Sequence, residues 1–538
     1  MTGYWRHAKY MLPAASRRRL VTMNYRTIAV VVALTGVSLA GCAKVRRAQG
    51  ERLARTYCAL CHVFPEPRLL DKRTWVNGVL PQMALRLGDS SLSTPREPFR
   101  NPYMLVLPRA LPQKDFEKIV EYYRDAAPDS LPDPSLGIET RLDPAFWTVG
   151  PFASGMRSSG IVTLLKADSA RERIYLGEAG SNTLRVYDFA RRLLTTVKLG
   201  SPPTDVLVED RRVLVLESGI LNPNDEPRGR LVQYDVVGRD SLRLDRVVID
   251  SLLRPVFVAQ YDFAKDGAPQ FLIGEFGDNR GRLALYAPRG ATYQRQDLAD
   301  TPGAIHVAIR DLTGDGAPDI VALFAQGDER IELFENDGTG HFSTGRRKTL
   351  ARFPPLYGSM YFALFDFNGD GHPDILYVNG DNFDYSRVLK PYHGVRILEN
   401  DGKNNFHERY FFPVHGAARA AVADFDGDGD LDIFVTSNFA DRARHPERGV
   451  MYLENLGGYQ FRPYAFSATG ESEWNLMTVA DLNHDGRPDV IVGAMNLASV
   501  SRSQRGYTGR ALPDGTNPLL VFERSPGQRA RKDTVVRR

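Results

Sequence analysis

"DFDGDGDLDI", residues 424–433, is the stretch whose reading decides the fold. Carboxylates stand at its first, third, fifth and ninth positions, with glycine at the sixth. The same grammar opens "DLTGDGAPDI" at Asp311, "DFNGDGHPDI" at Asp366 and "DLNHDGRPDV" at Asp481, and a degenerate copy, "DFAKDGAPQF", at Asp262. A spacing of ~49–58 residues between copies is the signature of a propeller or solenoid. An apolar strand precedes the loop ("YFALF", "AAVA", "LMTVA"), and a second follows it ("DIVALFA", "DILYVNG", "DIFVTSN", "DVIVGAM"). A third strand ("IELFEND", "VRILEND", "VMYLENL") comes next, and an outer strand is expected from the phenylalanine of "HFSTGRR", "NFHERYF" and "QFRPYAF". Four short strands per unit make a propeller blade.

Counting towards the N-terminus, "IVTLLKAD", "RIYLGEAG" and "TLRVYDF", then "TDVLVED", "RVLVLESG" and "LVQYDVV", keep the strand pattern and lose the acidic loop. With the five copies above they give seven blades. The last unit, "LMTVADL", "DVIVGAM", "PLLVFER", lacks a Phe-led outer strand and runs into the basic "SPGQRARKDTVVRR". "AFWTVGPFASG", residues 145–155, looks like the "QFRPYAFSATG" that ends the preceding unit. Residues 145–152 are therefore expected to pair as the outer strand of the seventh blade and close the ring, since an open ring exposes unpaired strand edges.

The motif D-x-[DN]-x-D-G-x-x-D, four times in phase, resembles the FG-GAP/VCBS repeat family, also seen in integrin-type propellers, over about residues 150–526. Its loops have the chemistry of calcium: hard carboxylate oxygens at positions 1, 3, 5 and 9, a backbone carbonyl at 7, and glycine at 6 for the sharp turn. The ligand sets expected are Asp424, Asp426, Asp428 and Asp432; Asp366, Asn368, Asp370 and Asp374; Asp481, Asn483, Asp485 and Asp489; and Asp311, Thr313, Asp315 and Asp319, the last with a weaker third ligand. That makes three to four Ca2+ ions, stiffening blade corners. An Asx-rich turn without metal is the alternative.

The other informative stretch is "YCALCH", residues 57–62. C-x-x-C-H is the haem c attachment signature: Cys58 and Cys61 reach the two vinyl groups and His62 becomes the proximal ligand. A zinc site needs two more ligands, and no second cysteine pair exists. "GERLARTYCALCH" reads as a helix with Leu53, Tyr57 and Leu60 on one face, and "LPQKDFEKIVEYYRDAAP" as a second, with Phe116, Ile119, Val120 and Tyr123 on one stripe and Pro112 at its start. Together they resemble a small all-α class I cytochrome c over about residues 46–130. That resemblance implies a methionine as second axial ligand, with Met83 in "LPQMALRLG" preferred to Met104 in "NPYMLVLP". Trp75 packs against the porphyrin or is plain core.

Residues 1–42 read as an exported leader. The apolar run 27–40 is too short for a comfortable membrane span, and Leu39-Ala40-Gly41-Cys42 resembles the bacterial lipobox, with Cys42 lipidated; Met23 is an alternative start. Ala43 after the cysteine implies the outer membrane of the cell envelope. Three cysteines in all leave Cys58 and Cys61 free for chemistry. The expected organisation is thus a multidomain chain: leader 1–42, haem domain 46–130, linker 131–144, seven-bladed all-β propeller 145–526 and basic tail 527–538. The net charge of +4, from 69 basic and 65 acidic side chains, gives no reason to expect nucleic acid. There is no nucleophile elbow, P-loop, HExxH or dinucleotide fingerprint. His306, His393 and His415 read as structural or surface residues, with His393, near Tyr385 and Arg396, as a guess for a residue facing the propeller funnel. The function expected is membrane-anchored electron transfer, with the propeller as docking or ligand-binding platform for an unknown redox partner. The alternatives are a propeller oxidoreductase passing electrons to its own haem, and a surface adhesion module.

Overall fold

In the computed structural model the described residues are 45–88, 110–135, 137–153, 161–238, 240–381, 388–495 and 517–525. Cys42, Met104 and Tyr385 lie outside them. Among these residues no helix is long and apolar enough to cross a membrane.

Seven antiparallel sheets of strand order 1-2-3-4 form the propeller. Blade 1 runs through Val162–Asp168, Arg173–Glu178, Thr183–Asp188 and Leu193–Lys198. Blades 2 to 6 begin at Pro203–Val208, Pro255–Tyr261, Ala304–Arg310, Ser359–Phe365 and Ala417–Ala423. Blade 7 takes Trp474–Ala480, Asp489–Ala494 and Leu519–Arg524, and its outer strand is Trp147–Pro151, paired antiparallel from Trp147↔Arg524 to Pro151↔Leu520. The segment expected to close the ring does so.

Second strands are buried on both faces. All six residues of Asp319–Phe324, Asp374–Asn379, Asp432–Ser437 and Asp489–Ala494 are buried, which is why they read as continuous apolar runs rather than alternating ones. Seven apolar clusters fill the seven blade interfaces; between blades 3 and 4, for example, Leu272 and Leu285 meet Ile320 and Phe334. Each such side chain contributes roughly 1.5–3 kcal/mol on burial.

One strand departs from expectation. Blades 5 and 6 have outer strands starting at their phenylalanines, Phe406–Pro413 and Phe461–Ala465, but that of blade 4 is Arg347–Arg352. Phe342 is drawn away from it into the interface with blade 3, edge-on to Phe263 at 5.2 Å.

The N-terminal unit is helical: α1 (45–57), α2 (Lys72–Thr74), α3 (Leu80–Arg86), joined to α2 through the π-turn Trp75–Val79, and α4 (Gln113–Ala126). Its core holds Ala54, Leu70, Trp75, Phe116, Ile119 and Tyr123. Gly50 sets the crossing of α1 on α4, because a Cβ there would lie 2.4 Å from the Lys118 carbonyl oxygen. α1 stops at Tyr57, short of the helix expected through His62, and Leu60, expected on its apolar face, is 58% exposed.

The segment after α4 is pinned rather than free. Asp133 pairs with Arg444 at 2.7 Å and with His415 at 3.3 Å. Arg448 donates to the Ile138 carbonyl and the Thr140 hydroxyl, and Arg141–Leu142 adds a parallel fifth strand to blade 6.

Candidate functional site

Two groups of side chains carry chemistry, and they lie at opposite faces of the propeller. In an up-and-down blade the first and third turns share one end, and the second turn and the blade-to-blade connection share the other. All the acidic loops are first turns. Among the described residues, the helical unit meets the propeller at the other end.

Each acidic loop is locked by its first carboxylate. Asp424 accepts the backbone N–H groups of Gly427, Asp428 and Gly429. Asp366 does the same for Gly369, Asp370 and Gly371, Asp311 for Gly314 and Gly316, and Asp481 for Asp485 and Gly486. The sixth-position glycines all have positive φ, from 82° at Gly486 to 98° at Gly429. Even the degenerate loop keeps this lock, with Asp262 accepting from Asp266 and Gly267.

The ninth residue does something the motif alone does not reveal. Asp319, Asp374, Asp432 and Asp489 are fully buried at the start of their second strands. In blades 4 to 6 each ties the loop to the third strand: Asp319 accepts from the N–H groups of Leu312 and Asn336, Asp374 from those of Phe367 and Asn400, and Asp432 from those of Phe425 and Asn455. Blade 7 has Arg524 where the others have asparagine, and the Asp489 Oδ1 is buried without a hydrogen-bond partner. Three carboxylates converge in blade 6: ligand atoms of Asp424, Asp426 and Asp432 lie within 4.8 Å of one another. Burial pushes Asp432 up to about 8, with Asp426 and Asp428 adding repulsion; burial and Asp428 push Asp426 up to about 6. A divalent cation there would relieve both effects. Asp428, in the same loop, is outside this convergence; in the other loops Thr313, Asp315, Asn368, Asp370, Asn483 and Asp485 are exposed, with Asp315, Asn368, Asp370 and Asn483 accepting backbone N–H groups of their own loops.

The second group follows α1. The Cys58 N–H makes the last helical bond, to the Ala54 carbonyl at 2.8 Å. The chain then turns through Cys61 and is held beyond His62 by two buried rings: the Tyr123 hydroxyl donates to the Pro65 carbonyl and the Trp75 indole to that of Pro67, each at 2.7 Å. Trp75 and Tyr123 pack with centroids 4.4 Å apart. Both cysteines are free thiols. Burial pushes the Cys58 thiol up to about 12, which makes it a poor nucleophile and disfavours a redox dithiol. His62 Nδ1–H donates to the Val63 carbonyl at 2.9 Å, leaving Nε2 with its lone pair. Burial lowers the His62 pKa, so the neutral ligating form is favoured. Met83 packs on the same helical core from within α3, whose first turn carries Pro81.

The unit is seated on blades 3 to 5. Leu356 and Tyr392 of the propeller belong to its core cluster, and the Tyr392 hydroxyl donates to the Leu69 carbonyl at 3.0 Å. Arg86 donates to Asn279 at 3.0 Å. His62 senses Asp328 and Arg352 across this seam. His393 is buried beside it rather than facing a funnel, its Nδ1 taking the Gly416 N–H at 3.4 Å, and Arg396 stacks on Phe411 at 4.2 Å while pairing with Glu408.

Residues 311–377 and 378–435 match the FG-GAP-like repeat, and residues 474–511 match the FG-GAP repeat. No curated protein matches the chain. Among solved structures it is similar to a luciferin-regenerating enzyme, at 10% identity and a TM-score of 0.36, covering 54% of this chain and 88% of that one. It is similar also to BBS1N in complex with ARL6DN, at 10% identity and a TM-score of 0.41, covering 71% and 98%. An FG-GAP propeller supports a docking or adhesion-type module. The chain is a seven-bladed β-propeller carrying FG-GAP repeats in its second half.

Proposed function

We propose that this protein is an envelope-anchored c-type cytochrome whose propeller is a calcium-stiffened docking platform. The observation that carries the reading is the single turn bearing Cys58, Cys61 and His62: two free thiols and an imidazole whose Nε2 is unengaged. Haem c fits that donor set: Cys58, Cys61 and His62 would hold it, Met83 is the further ligand proposed, and the group would supply one-electron exchange. The chain's own residues hold the His62 tautomer through Val63 and fix the turn through Trp75 and Tyr123. Calcium fits the Asp424, Asp426 and Asp432 convergence best. Lipidation at Cys42 is the anchor, and Cys42→Ser is expected to release the protein from membranes.

Denatured protein from a host with a haem c maturation system should keep a c-type pyridine haemochrome band, and the Cys58→Ala, Cys61→Ala pair should lose it. Haem that extracts into acid acetone from the unaltered protein would sink the assignment. A second reading, an oxidoreductase feeding its own haem, is favoured by one observation: the helical unit sits on the face where the blade-to-blade connections lead into the inner strands, over blades 3 to 5.

A further inference from the structure

The inner strands share one register. Each has a bulge between its first and third residues. The third positions of blades 2 to 6 are Asp205, Phe257, His306, Tyr361 and Arg419. These side chains touch in sequence around the axis. Phe257 and His306 have ring centroids 5.7 Å apart, His306 and Tyr361 are 4.6 Å apart, and the Arg419 guanidinium lies 4.0 Å over the Tyr361 ring. Contacts running from blade to blade at one level describe an arc about the central channel. The third position counts from the blade-to-blade connection, so the arc lies just inside the channel mouth on the face that carries the helical unit.

His306, Tyr361 and Arg419 are each only partly buried, and neighbouring blades close both flanks of every inner strand. Their accessible side is therefore the channel. Among the described residues no carboxylate pairs with the Arg419 guanidinium, and no group bonds the Tyr361 hydroxyl. His306 is held neutral by burial and by Arg419. Asp205 is engaged by the Val258 N–H at 3.0 Å and faces Lys166 at 3.5 Å.

We propose that this arc is a binding site for a planar monocarboxylate, its carboxylate on the Arg419 fork with Tyr361 donating, and its body against His306 and Phe257. A guanidinium fork matches a carboxylate in two bonds, and the His306 and Phe257 rings offer surface to an apolar planar body. With Asp205 already offset by Lys166, the one guanidinium of the arc balances a monoanion and leaves a dianion such as phosphate under-compensated. The inference is independent of haem: it concerns only inner-strand residues.

Benzoate titrated calorimetrically into the full chain tests it, with inorganic phosphate as the second arm. Saturable benzoate binding in the millimolar range or tighter is expected, weakened at least tenfold in Arg419→Gln and a few-fold in Tyr361→Phe, with phosphate at least tenfold weaker than benzoate. If Arg419→Gln does not fold, Arg419→Lys keeps the charge and stem, loses the fork, and should still weaken binding several-fold. No benzoate binding, binding unchanged in the arginine variant that folds, or phosphate binding as tightly as benzoate would each overturn the assignment.

Discussion

Blades 1 and 2 turn the same corner as blades 4 to 6 by different means. In blade 1 the first turn is short, and Asp168 accepts the N–H groups of Ala170 and Arg171 while pairing with the Arg171 guanidinium at 2.9 Å. Blade 2 closes its turn with a Glu209–Arg212 pair at 2.5 Å. These corners carry their own cation. Blades 4 to 6 instead crowd carboxylates into a longer loop and bury one of them beneath it. The difference teaches that one blade corner admits two solutions, a short turn closed by its own ion pair and a longer loop whose crowded carboxylates a cation would neutralise.

The largest effect expected of breaking the comparison is at Asp432. Asp432→Ala strands the N–H groups of Phe425 and Asn455 and the Tyr452 hydroxyl. At roughly 1–3 kcal/mol per unsatisfied buried group, it should lose at least about 3 kcal/mol in urea unfolding, even in chelator. A loss under about 1 kcal/mol would show that the ninth residue is no brace. Chelation comes next. Removing calcium held at 100 times its Kd should cost about 2.7 kcal/mol per site and lower the melting temperature, and Asp426→Ala should blunt that drop. A melting temperature indifferent to chelator would leave blades 4 to 7 as self-sufficient as blades 1 and 2. The smallest effect belongs to blade 1: Arg171→Ala, removing its partly exposed pairs with Asp168 and Asp210, should change stability by about 1 kcal/mol or less and leave the chelator response untouched.

Period and polarity made the propeller legible. A loop repeated in phase fixes blade number, and the missing outer strand of the last unit pointed to Trp147. Ligand positions in the loops were legible as chemistry, but the division of labour was not: that Asp432 sits inside and Asp428 outside the carboxylate convergence depends on strand register. The end of α1 before Cys58 was hidden because Leu60 fits a helical stripe, although the turn at Cys61 leaves it in solvent. Phe342 leaves the outer strand because an aromatic in a strand-like run can serve a neighbouring blade as well as its own. Nothing in the sequence joined His306, Tyr361 and Arg419, which lie more than 50 residues apart in turn; only the common bulge brings them to one level. Nothing in the linker's own residues announces its capture by blade 6, which rests on Asp133 with His415, 282 positions away, and on Ile138 with Arg448, 310 positions away.

The seam at blade 7 also dictates an order of assembly. Thr148 and Ser525 hydroxyls meet at 3.0 Å across 377 positions of chain. At about 5–20 residues per second of synthesis, the strand Trp147–Pro151 emerges on the order of tens of seconds before Leu519–Arg524 exists to receive it. During that interval it is an unpaired edge bearing Trp147 and Val149, a hazard for misassembly with another nascent chain. Six blades can form before the ring closes, and closure waits on a contact spanning 377 positions of chain.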